Sequence, residues 1–369
     1  MCLFNFLTKR KISVLFFSAF LFSANFLLSA NDFNIWIAPQ YSLKNGRFSQ
    51  TVMNKTGGND KIITEQTFDE KYLSFIGLES GFAWRFISLQ AAFNWGIPKK
   101  MGNMTEDHHN VASQSIINRH KEFETEYDSE NFAVDANLVF DIPVIQGWLD
   151  VKPYAGFSYS FSKENALFQS GRQSSGSEYY DYRLEKHPDK YSWEMNTAAI
   201  ENGQNVWFKR ELINWKIGAA VEGTFFDHFF VNVMGEVAPF SFLNSVYYNG
   251  TGAYYLDKFK SNFKWWSVGA GLGGRFGKNN CFELGLNWKM SVLPELEGTS
   301  YQSKNEKSDY KEYTDGTFAK TDFSNWQVGI YGKYRFTFGP THTPRARPDR
   351  EKKEKAPKVR NGKVNVKVY

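Results

Sequence analysis

Phe282-Glu283-Leu284-Gly285-Leu286-Asn287-Trp288-Lys289 alternates, residue by residue, between a bulky apolar side chain and a small, polar or charged one. A period of two is the signature of a β-strand, because successive side chains leave opposite faces of the backbone. In a soluble sandwich the apolar face would pack on a partner sheet and the polar face would meet water. Here one face carries rings and the other places charges beside glycine, which suits lipid outside and a polar lumen inside. Hydrocarbon tolerates no unpaired backbone edge, so this alternation implies a closed barrel as well as a membrane location.

The same unit recurs along the chain. Trp326, Val328, Ile330, Tyr334 and Phe336 alternate with Gln327, Tyr331, Lys333 and Arg335. Ile217, Ala219, Val221 and Phe225 are read as outward, and Lys216, Gly218, Glu222 and Thr224 as inward. Trp266, Val268, Ala270, Leu272 and Phe276 face lipid, opposite Ser267, Gly269, Gly271, Gly273 and Arg275. The spacing predicts strands near 32–43, 71–85, 86–96, 130–142, 150–163, 205–226, 229–243, 259–276, 280–292 and 323–338. The fold class is therefore all-β: a ten-stranded antiparallel transmembrane β-barrel. Short links fall at Phe86, Pro143–Leu149, Asp227-His228 and Gly277–Asn280, and long ones at 44–70, 97–129, 164–204, 244–258 and 293–322. Short periplasmic turns and long extracellular loops are the asymmetry of outer-membrane barrels, and an even strand number returns both termini to the periplasm. Inward Glu222, Glu236, Glu283, Lys216, Lys289 and Arg335 are expected to form a charged interior, which disfavours a wide general pore. Trp84, Trp95, Trp265, Trp266 and Trp288 are assigned to interfacial belts.

Residues 1–30 read as a secretory signal: Lys9, Arg10 and Lys11, the apolar run Ile12 to Leu28, then a small-residue exit at Leu28-Ser29-Ala30. Residues 31–338 form the barrel, and 339–369 a basic, disordered-looking periplasmic tail. The formal charge of +5 misleads if taken whole. The leader contributes three positive charges and the tail ten Lys or Arg against three acids; 5 − 3 − 7 leaves about −5 for the barrel. Nucleic-acid binding is accordingly not expected. A mean hydropathy of −0.48 fits a barrel, whose lipid face takes only every second residue. Cys2 departs with the leader and Cys281 is left alone, so no internal disulfide is expected. Gly269 to Gly274 imitates a phosphate loop but lacks a following helix, and its glycines fall on one strand face.

Glu106-Asp107-His108-His109 places four ionisable residues together at the start of a predicted exterior loop. Imidazole beside carboxylate is the chemistry of a divalent-metal site or of a general base acting on water, and equally of a hydrated charged loop. No metal or other cofactor is assigned.

Gln90-Ala91-Ala92-Phe93-Asn94-Trp95, followed after Gly96 by Ile97-Pro98-Lys99-Lys100-Met101-Gly102-Asn103-Met104, resembles the third strand and second loop of the omptins. These are ten-stranded outer-membrane proteases that carry Gly-Asn-Met and then, one residue later, Asp-x-Asp. The similarity extends to Tyr41–Arg47, Phe208–Phe230, Ser308-Asp309-Tyr310 and Lys333-Tyr334-Arg335-Phe336, and covers about 33–338. The resemblance implies a nucleophilic water held at the outer rim between an Asp pair on one wall and an Asp-His dyad on the other. The pair falls on Glu106 and His108. Aligned from Trp265-Trp266, the dyad falls on Ser245 and Tyr247. Asn244 to Tyr255 contains no acid and no histidine, Asp257 has no histidine two residues on, and Asp227-His228 lies at the opposite membrane face. The protease site is expected to be dismantled.

Three functions remain open. The first is a surface adhesin or receptor, binding a host or extracellular protein through Tyr-, Ser-, Asn- and Gly-rich loops. The second is an active endopeptidase with a site rearranged around Glu106, Asp107, His108 and His109. The third is a structural barrel whose tail, Pro344 to Lys367, engages an anionic envelope polymer. Outer-membrane lipid is the common partner, and the resemblance adds a requirement for lipopolysaccharide in the outer leaflet.

Overall fold

The computed structural model describes residues 33–338, apart from 57–58, 110–116, 128–129, 175–192, 195–205, 227, 251, 278–280, 308 and 314. Residues 1–30, expected as a secretory signal, and the expected basic tail, 339–369, lie outside the described residues. The sixteen strand segments are β1 Phe33–Thr56, β2 Asn59–Trp84, β3 Ile87–Gly96, β4 Lys100–His109, β5 Ile117–Tyr127, β6 Phe132–Phe140, β7 Ile142–Ile145 and β8 Leu149–Ser174. There follow β9 Trp193–Glu194, β10 Val206–Phe225, β11 Phe229–Tyr248, β12 Tyr254–Ser261, β13 Trp266–Phe276, β14 Cys281–Ser303, β15 Lys311–Glu312 and β16 Thr317–Phe338.

They make ten long strands. β3 runs on into β4, β5 into β6, and β12 into β13, because each pair meets the same neighbours: β3 and β4 both pair with β2, and β12 and β13 both with β11 and β14. All pairings are antiparallel, and β1 against β16, from Phe33↔Phe338 to Asn54↔Thr317, closes the ring. Closure removes the free edge that a bilayer forbids. The periplasmic turns are as short as expected. They take left-handed backbone at Arg85, Gly147, Phe226 and Gly277.

Four of the five long exterior links are the main correction; most of the fifth, 164–204, lies outside the described residues. β1 has 24 residues and β2 and β8 have 26, whereas a tilted strand needs about ten residues to cross the hydrocarbon. The stretches 44–70, 97–129, 244–258 and 293–322 are therefore largely strand that stands above the membrane. The alternation persists there with its polarity reversed. In the belt Trp215 and Ile217 face out, 55% and 46% exposed, while Lys216 faces in at 3%. Higher on the same strand Phe208 faces in at 1%. Lipid demands apolar outward residues and water does not, so above the belt the apolar side chains return to the interior.

The interior is layered. At the periplasmic end Arg275 meets Glu222 at 2.8 Å and Glu283 at 2.9 Å, and Lys152 meets Glu222 at 3.0 Å. Glu236 pairs with Lys289 at 2.6 Å and Lys216 at 3.3 Å, and Lys216 also bonds Asp135. Of the expected network only Arg335 stands aside, its guanidinium 5.9 Å from the Trp36 ring. Gly285 makes room for Tyr331, whose ring carbon would sit 2.4 Å from an added Cβ and whose hydroxyl donates to Glu283. Gly269 to Gly274 lies within β13 as read. Above this floor is a cavity of about 250 Å³ whose lining mixes the polar Lys44, Glu70, Arg210 and Asn214 with the apolar Phe48 and Leu243. A dry layer roofs it: Phe48, Phe68, Met104, Phe123, Phe208 and Phe259 are all at most 2% exposed. Trp265 belongs to this core at 4% exposure and not to an interfacial belt, whereas Trp84, Trp266 and Trp288 are 37–45% exposed and do flank the membrane.

Candidate functional site at the barrel mouth

One rung outward from the aromatic layer, Gln50, Gln66, Glu106 and Lys121 share a level, because Gln50↔Gln66, Gln66↔Glu106 and Glu106↔Lys121 are paired in register. Gly102 fixes the placement of Glu106. A Cβ there would lie 1.6 Å from the Asp69 carbonyl oxygen, so only glycine lets β4 approach β2 this closely.

The expectation that Glu106, Asp107, His108 and His109 form one exterior-loop cluster does not hold. They are the last residues of β4, and alternation separates them. Glu106 faces the interior and is 1% exposed. His108 Nε2 lies 2.8 Å from Glu106 Oε1, and Thr64 Oγ1 lies 3.2 Å from His108 Nδ1. Asp107 turns outward, 2.6 Å from His120 Nδ1 on β5, and His109 Nε2 is 3.8 Å from Glu65. The Asp107 hydrogen bond raises the His120 pKa above its ordinary value, helped by Glu122. Among the described residues no group of three His, Cys, Asp or Glu is arranged to hold a metal ion.

Glu106 is saturated with partners. Lys121 Nζ donates to Oε1 at 2.8 Å, and Gln66 Nε2 to Oε2 at 2.9 Å. The Tyr247 hydroxyl donates to Oε2 at 2.5 Å from β11, across the mouth. Burial by itself would raise the Glu106 pKa; the His108 hydrogen bond and the Lys121 charge outweigh it and hold the carboxyl well below the usual range. The same burial beside the Glu106 charge pushes the Tyr247 phenol well up, so it stays a neutral donor.

Ser245 and Tyr247, the positions onto which the resemblance maps the dyad, both lie on β11 and face the interior. Ser245, fully buried, donates its hydroxyl to Gln50 Oε1 at 2.7 Å. Tyr247 closes on Glu106. No carboxylate–imidazole pair faces Glu106 from β11. Sequence reasoning passed over Lys121 and Gln66, and named Asp257 only for having no histidine two residues on. Asp257 on β12 is 1% exposed, accepts from Gln50 Nε2, and stands in register with Ser245 and Ser300. Burial pushes its pKa up to about 7. Only cross-strand register reveals these neighbours; they are 15 to 207 residues apart from their partners in sequence.

No protein-family model and no curated protein sequence matches the chain. Among solved structures it is similar to the outer membrane protease OmpT from Escherichia coli, with a TM-score of 0.62 and 14% identity, over 84% of this chain and 98% of that one. It also aligns with the translocator domain of the autotransporter NalP from Neisseria meningitidis at a TM-score of 0.28, 10% identity, and 87% and 96% coverage. The attachment invasion locus protein Ail of Yersinia pestis aligns at 0.24, 12%, 83% and 99%. These last two scores are too low to argue from. At 14% identity the OmpT likeness speaks of the fold alone, and that fold is the closed ring of ten antiparallel strands described above. The chain is an outer-membrane β-barrel of omptin-like fold.

Proposed function

We propose that this barrel is a non-proteolytic surface adhesin or receptor whose mouth retains the outline of an omptin site without its acid–base machinery. The observation that supports this is the Tyr247–Glu106 hydrogen bond. A hydrolytic water held between two walls needs a gap and a base facing it. Here a neutral hydroxyl spans the gap, and the carboxylate is already held by Lys121, Gln66 and His108. Losing a general base costs about a hundred- to ten-thousandfold in rate. Binding in this reading falls to the outer strand extensions.

A rearranged endopeptidase is the second reading, favoured by one observation: the His108 side chain is 34% exposed with Glu106 behind it, the arrangement of an oriented base. The deciding experiment is cleavage of a dibasic peptide by purified protein reconstituted with and without outer-leaflet lipopolysaccharide. The expected outcome is no cleavage above background in either membrane. Cleavage that Glu106→Ala and His108→Ala both abolish would overturn the adhesin reading.

A further inference from the structure

One rung outward from Glu106, at the open end of the mouth, residues of β1, β2, β4 and β5 stand side by side: Val52↔Thr64, Thr64↔His108 and His108↔Arg119 are paired in register. The alternation that turns Gln66, Glu106 and Lys121 inward turns Thr64, His108 and Arg119 inward as well. Thr64 Oγ1 lies 3.2 Å from His108 Nδ1, and His108 Nε2 lies 2.8 Å from Glu106 Oε1. A carboxylate can only accept, so the neutral imidazole carries its proton on Nε2 and offers the Nδ1 lone pair to the Thr64 hydroxyl. Hydroxyl, imidazole and carboxylate form one relay, with a nucleophile in reach of a base and the base oriented by a third group. Glu106 is 1% exposed and the His108 side chain 34%, so the anchored end is buried and the working end is open to solvent.

We propose that this relay is an esterase centre, with Thr64 as nucleophile, His108 as general base and Glu106 as the residue that positions His108. Thr64 Oγ1 attacks the carbonyl carbon of a carboxylic ester and passes its proton to His108 Nδ1. As the bond to the alcohol oxygen breaks, His108 returns that proton to the leaving group. Water then attacks the Thr64 ester and gives a proton to His108; the bond to Oγ1 breaks, the acid leaves, and Oγ1 takes the proton back. Arg119, without an ion pair among the described residues, is the cation that faces the oxyanion on this rung. The backbone N–H groups of β4 are committed to the ladders with β2 and β5, so none is free to join it. A missing oxyanion donor costs about a hundred- to thousandfold, which an ester with a good leaving group tolerates and a peptide bond does not. The activity goes beyond the receptor reading and is compatible with it. It uses one wall of the mouth, so the Tyr247 bond across the gap does not obstruct it.

The test uses the full chain in phosphatidylcholine nanodiscs with p-nitrophenyl acetate. A burst of about one p-nitrophenolate per barrel, then slower turnover, is expected, because an acyl-enzyme accumulates. A fluorophosphonate probe should label Thr64, located by mass spectrometry of the digested protein. Thr64→Val keeps the shape of the side chain and should abolish burst and label; Thr64→Ser should keep both. His108→Gln should slow acylation by about a hundredfold or more. Glu106→Gln should lower kcat with KM within about twofold, and Glu106→Asp should recover part of the loss. Arg119→Gln should cost at least about tenfold in kcat. His120→Gln, on the outward face of β5, should leave the rate within about twofold, which separates the relay from ester cleavage by any exposed imidazole. Mobility on unheated gels shows that each variant is folded. Burst and label that survive Thr64→Val overturn the proposal, as does an equal loss in His108→Gln and His120→Gln. A wild type without burst or label overturns this inference and leaves the receptor reading standing; cleavage of the dibasic peptide with no label on Thr64 overturns both.

Discussion

Two buried carboxyls within a few residues' reach of each other differ only in their company. Glu106 has Lys121 and His108, and stays ionised; Asp257 faces Gln50, Ser245 and Ser300, with no cation paired to it among the described residues, and holds its proton up to about pH 7. Because the folded pKa of Asp257 lies above the unfolded value of about 3.9, ionisation costs stability. Below about pH 4 both states are protonated and nothing is lost; the cost grows from there to about pH 7, then stays constant. The full penalty is on the order of 4 kcal/mol. Asp257→Asn, which keeps an acceptor for Gln50, should therefore match wild type at pH 4 and exceed it in thermal melting at pH 8. Equal melting curves at pH 8 would contradict this. Lys121→Met strips the main cation from a buried charge and is expected to cost about 3 kcal/mol, read from denaturant unfolding in detergent. None of these contacts was legible in the sequence. Glu106 stood out through its resemblance to a protease position, and its true neighbours come from strands whose register no local pattern specifies.

At the scale of the element, a strand of twenty residues is divided between two solvents. The belt half of β10 hides Lys216 and shows Trp215; the rim half hides Phe208 and shows Lys209. Sequence reading had β10 whole at 205–226, but took the rim halves of β1, β2 and β14 for loop, because a search for outward apolar residues fails once water replaces lipid outside. Inward-pointing Phe48, Phe68 and Phe208 were nonetheless in phase throughout, with ring centroids 4.6–5.7 Å apart. Phe208→Ala should lower stability by about 3–5 kcal/mol, the cost of a cavity in a packed layer. Gly102→Ala tests the seam between β2 and β4. An added methyl has no room against Asp69, so β4 must shift, at about 1–3 kcal/mol. Hydrogen exchange should then be faster at Met104 and Glu106 than in wild type.

For the molecule as a whole, closure and filling are separable properties. Twenty register pairs between β1 and β16 close the ring, so the folded barrel should resist dodecyl sulfate and run ahead of its heated form on a gel. Filling is a matter of side chains: a charged floor, a cavity of about 250 Å³ and an aromatic roof pinned by Arg210, whose guanidinium lies 4.5 Å from the Phe48 ring. Planar-bilayer recordings should show no steady conductance for wild type. Removing roof and latch together, as Phe48→Ala, Phe208→Ala and Arg210→Ala, should admit ions; an open wild-type channel would refute the layered interior.

Sequence alone determined that this is a ten-stranded outer-membrane barrel, which residues of the belt face lipid, and where the short turns fall. A period of two is a local property, and lipid enforces it residue by residue. Only the tertiary structure decided how far the strands rise above the membrane, that Asp107 and His109 turn away from Glu106 and His108, and that Tyr247 spans the mouth. Those are outcomes of register between strands 15 to 141 residues apart, where one step of slip exchanges every inward side chain for an outward one.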